Sequence, residues 1–268
     1  MEIFKDNVVI ITGASSGIGR ELALQLAEKG AKLALAARHL DALEPVVERC
    51  TERGGTAIAV LTDVSDKNQC KQLIDKTVER YGRIDTLVNN AGLSMWARFE
   101  EITDLSLFEK LMQVNYFGSL YCTWYALPHL KKTRGRIVGV SSLTGKTGVP
   151  TRTGYAASKH AMAGFFDSLR VELRDTGISV SMIYPGFVAT AVRERAFGSD
   201  GKALGSSHLD ETHVMTVETC VKQMIPVIAK RKRELVMTTR GKIGLWLKLV
   251  APDLVDKIAL RSIEKGRT

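Results

Sequence analysis

Short runs of consecutive apolar residues alternate along this chain with longer stretches in which apolar positions recur every three or four residues. Residues 7–12 (Asn-Val-Val-Ile-Ile-Thr) form a continuous apolar run, the pattern of a parallel strand covered on both faces. Ile18, Leu22 and Leu26 follow at i, i+4 and i+8, one stripe of a helix. Strand-like runs recur at 32–37, 56–61, 84–89, 136–140, 178–183 and 234–237. Helical spacing fills the stretches near 40–53, 66–81, 104–131, 152–175 and 216–230. Strands alternating with helices through short Gly or Asp turns predict an α/β fold: a doubly wound, seven-stranded parallel sheet flanked by helices. Residues 1–240 read as one such domain. Two segments depart from the alternation and look less ordered: 191–215, which carries Gly198, Gly201 and Gly205, and the tail after Arg240, read as a helical, basic amphipathic C-terminal extension at 241–268.

Composition narrows the class. With 268 residues, 45% hydrophobic and 25% charged, the chain can bury a large core without disulfides or a structural metal. Cys50, Cys70, Cys122 and Cys220 stand far apart with no metal-like spacing, so a reducing, cytoplasmic setting is expected. No apolar run reaches the roughly 18–20 residues of a membrane span, and the first strand opens too early for a signal peptide ahead of it. Secreted disulfide scaffold, disordered chain and integral membrane protein are excluded on this reading. The net charge is +9, but eleven Lys and Arg against four acids in the last 43 residues carry +7 of it. A basic tail on a near-neutral body suggests an anionic surface or substrate; no nucleic-acid motif accompanies it. The five histidines show no metal-ligand spacing, and no metal is expected.

The chemistry is concentrated in a few strings. Thr12-Gly13-Ala-Ser15-Ser16-Gly17-Ile18-Gly19 lies between the first strand and the first helix. Gly13 permits a tight turn, Gly17 lets backbone approach a pyrophosphate, and Gly19 lets helix and strand pack closely. Many turns resemble such a string; its place after an apolar strand and before an amphipathic helix points to a dinucleotide. At the end of the second strand, where an acidic residue would read a ribose 2′-hydroxyl, stand Ala37 and Arg38. A guanidinium suits a 2′-phosphate, so NADP(H) is expected over NAD(H). Asn89-Asn90-Ala91-Gly92 closes the fourth strand, Asn115 falls on a long helix, and Ser142 ends the fifth strand. Tyr155 and Lys159 follow at i, i+4 on one helix face, and Pro185-Gly186-Phe-Val188-Ala-Thr190 ends the sixth strand. A lone Tyr-x-x-x-Lys is common by chance. Here every group falls at the carboxyl ends of strands, where open α/β sheets bind ligands.

With these motifs in this order from about residue 7 to 237, the chain resembles the short-chain dehydrogenase/reductase family in its compact single-domain, Rossmann-type branch. Within the family it looks nearest to the 11β-hydroxysteroid dehydrogenases and dehydrogenase/reductase member 7B. The resemblance implies that Tyr155 exchanges a proton with a carbonyl or alcohol oxygen while hydride passes to or from nicotinamide. It implies that Lys159 favours the phenolate and binds the nicotinamide ribose. Ser142 would orient the carbonyl, and Asn115 would hold a relay water. Asp63 and Val64 would lie beside the adenine, Asn90, Ala91 and Gly92 on the cofactor wall, and Pro185, Gly186, Val188 and Thr190 around the carboxamide. One departure stands out: NADP(H)-using relatives often carry Lys or Arg where this chain has Ser16, leaving Arg38 with hydroxyl help from Ser15 or Ser16. The family also implies a homodimer or homotetramer.

Substrate walls are expected from 93–99, 143–149, Arg152 and 187–215, with Ser94-Met95-Trp96 and Phe187 suggesting a hydrophobic carbonyl or alcohol. Those aromatics equally suit plain packing, and the 198–205 stretch suits a lid or a passive loop. In the tail, Ile243, Trp246, Leu247 and Val250 share one helical face, Pro252 interrupts, and Leu254, Val255, Ile258 and Ala259 resume it, flanked by Lys242, Lys248, Lys257 and Arg261. That face suits the protein's own pocket, a partner subunit, or peripheral contact with anionic lipid. Two other functions fit the same strings: a non-catalytic NADP(H) sensor, and an epimerase or dehydratase. The sensor has no need of Ser142, Tyr155 and Lys159 together, and the latter enzymes need more chain after the sixth strand.

Overall fold

The computed structural model describes residues 3–192, 194–205 and 214–265. Strands β1 (Val8–Thr12), β2 (Lys32–Ala37), β3 (Thr56–Leu61), β4 (Thr86–Asn89), β5 (Arg136–Val140), β6 (Ser179–Tyr184) and β7 (Glu234–Val236) form one sheet. Its order is β3-β2-β1-β4-β5-β6-β7, and every neighbouring pair is parallel. All seven expected strands are present, their ends shifted by at most two residues. The helices are α1 (Gly17–Ala27), α2 (Glu44–Glu52), α3 (Lys67–Tyr81), α4 (Ser106–Met112), α5 (Gly118–Thr133), α6 (Thr153–Glu172), α7 (Val217–Ala229), α8 (Thr239–Val250) and α9 (Pro252–Lys265).

Side chains alternate across each strand. Val9 and Ile11 of β1 with Leu33 and Leu35 of β2 enter one apolar layer, closed by α1, α2 and α7 through Leu22, Val46 and Met224. Ile10, Ala34 and Ala36 enter the other layer, closed by α3, α5 and α6 through Leu73, Cys122 and Phe166. Because helices cover both faces, β1 carries no polar face, which is why its sequence shows no period of two. All four cysteines are free and buried within these layers.

Three differences from expectation have physical causes. The helix expected over 104–131 is broken into α4, a π-helical turn at Gln113–Phe117, and α5. One wide turn shifts the apolar stripe by a single position, which periodicity does not resolve; such turns often occur at functional sites. The tail after Arg240 forms the expected helical extension, as two helices, α8 and α9. The Thr238 hydroxyl accepts from Gly241 N at 3.0 Å to start α8, and Pro252 opens α9, where its missing N–H costs nothing. The inward faces also differ: Leu245 of α8 packs on the core and Ile263 of α9 is buried, whereas Ile243, Trp246, Leu249 and Val250 are exposed. Of the expected 191–215 loop, residue 193 and residues 206–213 lie outside the described residues. The rest is bridged rather than free, with Phe197 pairing Met95 and Ala203, and Val188 pairing Met215.

Gly139 in the middle of β5 gives α6 its close seat. A Cβ there would stand 2.6 Å from Met182 Sδ and 3.0 Å from the Phe166 ring. Gly139→Ala is expected to cost about 1–3 kcal/mol by overpacking, read as a lower urea midpoint at unchanged slope. An unchanged midpoint would contradict this packing.

Candidate active site

The chain order of the sheet reverses beside β1: β2 and β3 lie on one side, β4 and its successors on the other. At such a point the loops leaving the carboxyl ends part and leave a crevice. The loop after β1 is held open there by hydrogen bonds to the loop after β4. The Thr12 hydroxyl accepts from the backbone N–H groups of Asn90 and Ala91, each at 3.0 Å, and Asn90 Nδ2 donates to Thr12 O at 2.9 Å. Gly13 has φ +65°, and a Cβ on it would lie 2.8 Å from Ala91 Cα. On Gly19 a Cβ would lie 2.3 Å from Gly13 O, so both glycines are required by close backbone approach. Gly17, φ +54°, opens α1 beneath the Thr190 side chain, 3.1 Å from where its Cβ would stand.

Ser15, Ser16 and Ile18 are half-buried along this turn. Ser16 is the N-cap of α1, yet its hydroxyl caps no helical N–H, and no acidic residue stands in the first turn. The first amides of α1 therefore remain available to an anion. Arg38 is exposed just beyond β2. Asp63 is half-buried after β3, its Oδ1 accepting from Ser65 N and Oγ at 2.9 and 2.7 Å. Val64 is buried against α5, where a Cβ on Gly118 would come within 2.7 Å of it. After β6, Pro185 O accepts from Leu143 N at 3.0 Å, and Val188 is buried. Gly186 lies against Thr238, and Thr190 lies over Gly17.

Toward β5 the predicted acid–base residues converge. Lys159 is 3% exposed, and its Nζ donates to Val140 O, the last residue of β5, at 3.0 Å. It lies 5.9 Å from the centre of the Tyr155 ring. Burial pushes the Lys159 ammonium down to about 8. Burial raises the Tyr155 phenol above its ordinary range, opposed by the Arg152 cation and by the Ser142 and Thr144 hydroxyls beside it. Ser142 Oγ also accepts from Thr144 N at 3.2 Å; Thr144 Oγ1, although near the phenol, completes no hydrogen bond of good geometry. Gly92 lies alongside, a Cβ on it being 3.1 Å from Asn115 Oδ1 and 3.4 Å from Lys159 Nζ. Asn115 sits in the π-turn. Its Oδ1 accepts from Leu93 N at 2.8 Å, and its Nδ2 donates to Leu93 O at 3.0 Å and Ser158 Oγ at 2.8 Å. It thus ties the β4 loop to α6.

Met95 and Phe197 share an apolar cluster with Tyr155, and Trp96, Ala196 and Ile263, the last from α9, form a second; all of these but Phe197 and Tyr155 are buried. Arg152, buried one turn before Tyr155, lies over the Trp96 ring at 4.2 Å and donates from Nη1 to Ser94 Oγ at 2.6 Å. Sequence reasoning overlooked the parts played by Thr12, Thr144 and Ser158, although Thr12 and Ser158 stand inside the quoted motifs. It overlooked Arg195 altogether, whose Nη2 donates to Ser16 Oγ at 2.9 Å. Among the described residues, no group of three or more His, Cys, Asp or Glu is arranged to hold a metal ion.

The sequence model of the family described as short chain dehydrogenase matches residues 7–200. The Arabidopsis thaliana protein named 11-beta-hydroxysteroid dehydrogenase-like 4A is 38% identical over 252 residues, 92% of this chain and 82% of its own length. A Dictyostelium discoideum protein named dehydrogenase/reductase SDR family protein 7-like is 35% identical over 272 residues, 98% of this chain and 84% of its own. Among solved structures, an alcohol dehydrogenase from Thermococcus sibiricus complexed with 5-hydroxy-NADP superposes with a TM-score of 0.74 at 27% identity, covering 86% of this chain and 95% of that one.

The buried Lys159 makes the fold pH-sensitive. Between pH 8 and the ordinary lysine value of 10.5 the unfolded chain binds the extra proton, so this group's penalty to stability shrinks as pH rises through that window. Lys159→Met should therefore gain melting temperature relative to wild type at pH 7, with the gap narrowing toward pH 10. A gap independent of pH would contradict the buried charge.

Proposed function

Because the chain belongs to the short-chain dehydrogenase/reductase family of oxidoreductases, we propose that it transfers hydride between NADP(H) and a hydrophobic carbonyl or secondary alcohol, with Tyr155 as the acid–base group. The observation that carries this reading is the convergence of Ser142, Tyr155 and Lys159 beside a glycine turn fitted for a phosphate. The turn fits a dinucleotide because Gly13 and Gly19 leave no room for a Cβ and α1 begins with free amides. Gly13, Ser15, Ser16, Gly17, Ile18 and Gly19 would hold the pyrophosphate end. Arg38, with hydroxyl help from Ser15 or Ser16, would take the 2′-phosphate, and Asp63 and Val64 would flank the adenine. Asn90, Ala91 and Gly92 would wall the middle, and Pro185, Gly186, Val188 and Thr190 would hold the carboxamide. When bound, the nicotinamide supplies or accepts the hydride.

The protein's own groups manage the proton. Burial keeps the Tyr155 phenol protonated at neutral pH, so it can donate to a carbonyl oxygen that Ser142 Oγ orients by a second hydrogen bond. The phenolate left behind is stabilised by the Lys159 ammonium. Lys159 itself titrates at about 8, close enough to neutrality to return a proton to that phenolate, and Asn115 would hold the water that resupplies Lys159. In the reverse direction the phenolate takes the alcohol proton. The apolar clusters around Tyr155 and Arg152, with Met95 in one and Trp96 and Ile263 in the other, support a hydrophobic substrate.

Two assemblies accompany this reading. The exposed Trp124 on α5 and Val171 on α6 support a homodimer or homotetramer through those helices. The exposed Ile243, Trp246, Leu249 and Val250, with Arg240, Lys242 and Lys257 nearby in sequence, support peripheral contact of a cytoplasmic enzyme with anionic lipid. Among the described residues, no helix is long and apolar enough to cross a membrane.

Tyr155→Phe is expected to lower turnover of NADPH with a broad aldehyde, ketone and quinone panel by at least about a hundredfold, leaving NADP+ affinity unchanged. Near wild-type turnover would remove Tyr155 from the chemistry. The double variant Trp246→Glu, Leu249→Glu should stay in the supernatant with phosphatidylserine vesicles while the wild-type chain sediments. Equal supernatant fractions would end the lipid reading.

A further inference from the structure

An arginine stands where helix electrostatics alone would not put one. The N-terminus of α1 carries the positive end of the helix dipole and disfavours a cation. Arg195, from the segment after β6, nevertheless reaches across to it and donates from Nη2 to Ser16 Oγ at 2.9 Å. The same Ser16 hydroxyl makes no cap to its own helix. Arg195 is exposed, and among the described residues its side chain meets only this hydroxyl and Ala191 O, which accepts from Nε at 3.2 Å; no carboxylate there pairs with it.

The position is fixed by the backbone on either side. Thr190 lies over Gly17, and Gly205 N donates to Glu194 O at 2.8 Å. Leu204 N donates to Ala196 O at 3.0 Å, and Phe197 N to Ser94 O at 2.9 Å. Ala196 is buried against Trp96 and Ile263. A cation so held beside uncapped amides and a hydroxyl is half of an anion site, and Arg38 stands beyond the neighbouring strand β2.

We propose that Arg195 is the second cation for the 2′-phosphate of NADP(H), binding it together with Arg38 and the Ser16 hydroxyl. This rests on the NADP(H) reading above and adds a residue to it. Ser16 bears no charge, so the local sequence of the turn does not supply this cation; a residue 179 positions later does. The same segment enters the apolar clusters of Met95 and Trp96 through Phe197 and Ala196, so the coenzyme phosphate and the proposed substrate side would share one piece of backbone.

Calorimetric titration of the full-length wild type, Arg195→Gln and Arg38→Gln with NADP+ and NAD+ tests this without turnover. Adenosine 2′,5′-bisphosphate and adenosine 5′-monophosphate serve as fragment probes. Arg195→Gln should weaken NADP+ and the bisphosphate by about tenfold or more, and NAD+ and the monophosphate by less than about twofold. Equal losses for both coenzymes would overturn the assignment, marking a contact to the shared pyrophosphate, and so would no loss at all. If wild type prefers NADP+ and only Arg38→Gln erodes the preference, Arg195 falls and the NADP(H) reading stands. If wild type binds both coenzymes alike, the NADP(H) reading has failed and the proposal with it.

Discussion

A lysine ammonium enclosed at the carboxyl end of a parallel sheet is the constraint around which this site is arranged. Burying it costs free energy, seen in the fall of Lys159 to about 8, and the fold offsets that cost with a single backbone carbonyl, Val140 O at 3.0 Å. That acceptor exists because β5 ends there with its carbonyl directed at α6. The space exists because Gly92 has no side chain, and the facing loop is held by Asn115 from a π-turn. A fold that only needed stability would be expected to place an apolar residue at 159. Keeping a charge there makes sense only if its potential acts on something nearby, and the Tyr155 ring is 5.9 Å away.

The same economy of backbone governs the coenzyme end. Gly13 and Gly19 are pressed against Ala91 and Gly13 O, so the turn cannot widen, and the amides of α1 are left facing the crevice. Thr12 and Asn90 lock β1's loop to β4's across the reversal point, so the two halves of the crevice are positioned by the sheet itself rather than by mobile loops. The proposed substrate side rests on less regular backbone: the bridges of Phe197 to Met95 and Ala203, with Ile263 of α9 packed behind Trp96 and Ala196. A glycine turn fitted for a phosphate, set on a fixed sheet, beside irregular backbone on the proposed substrate side, suits a fold on which the site rather than the scaffold sets what is acted on.

Much of this is written locally in the chain. Unbroken apolar runs such as 7–12 mark doubly covered strands, and helix periodicity between them fixes their parallel pairing. Glycine spacing at 13, 17 and 19 and the Tyr155–Lys159 interval are legible because each depends on neighbours within one turn or one element. The π-turn at Gln113–Phe117 is not legible, since one extra residue per turn barely perturbs the stripe of a long helix. The tail's helices are signalled, yet their facing is not: Leu245 rather than Trp246 turns inward, onto the apolar layer that includes Val236 of β7. Arg195 has no local signal, because its meaning comes from contact with Ser16 across the fold.

The central claim is that the Tyr155 hydroxyl, beside the Lys159 charge, meets the reacting oxygen next to a nicotinamide. A crystal structure of the chain with NADP+ and a slow alcohol substrate measures this most directly. The account predicts the dinucleotide along the β1–β4 reversal and the substrate oxygen about 2.6–3.2 Å from Tyr155 Oη. A hydroxyl turned away from that oxygen, or a dinucleotide seated elsewhere, would contradict it.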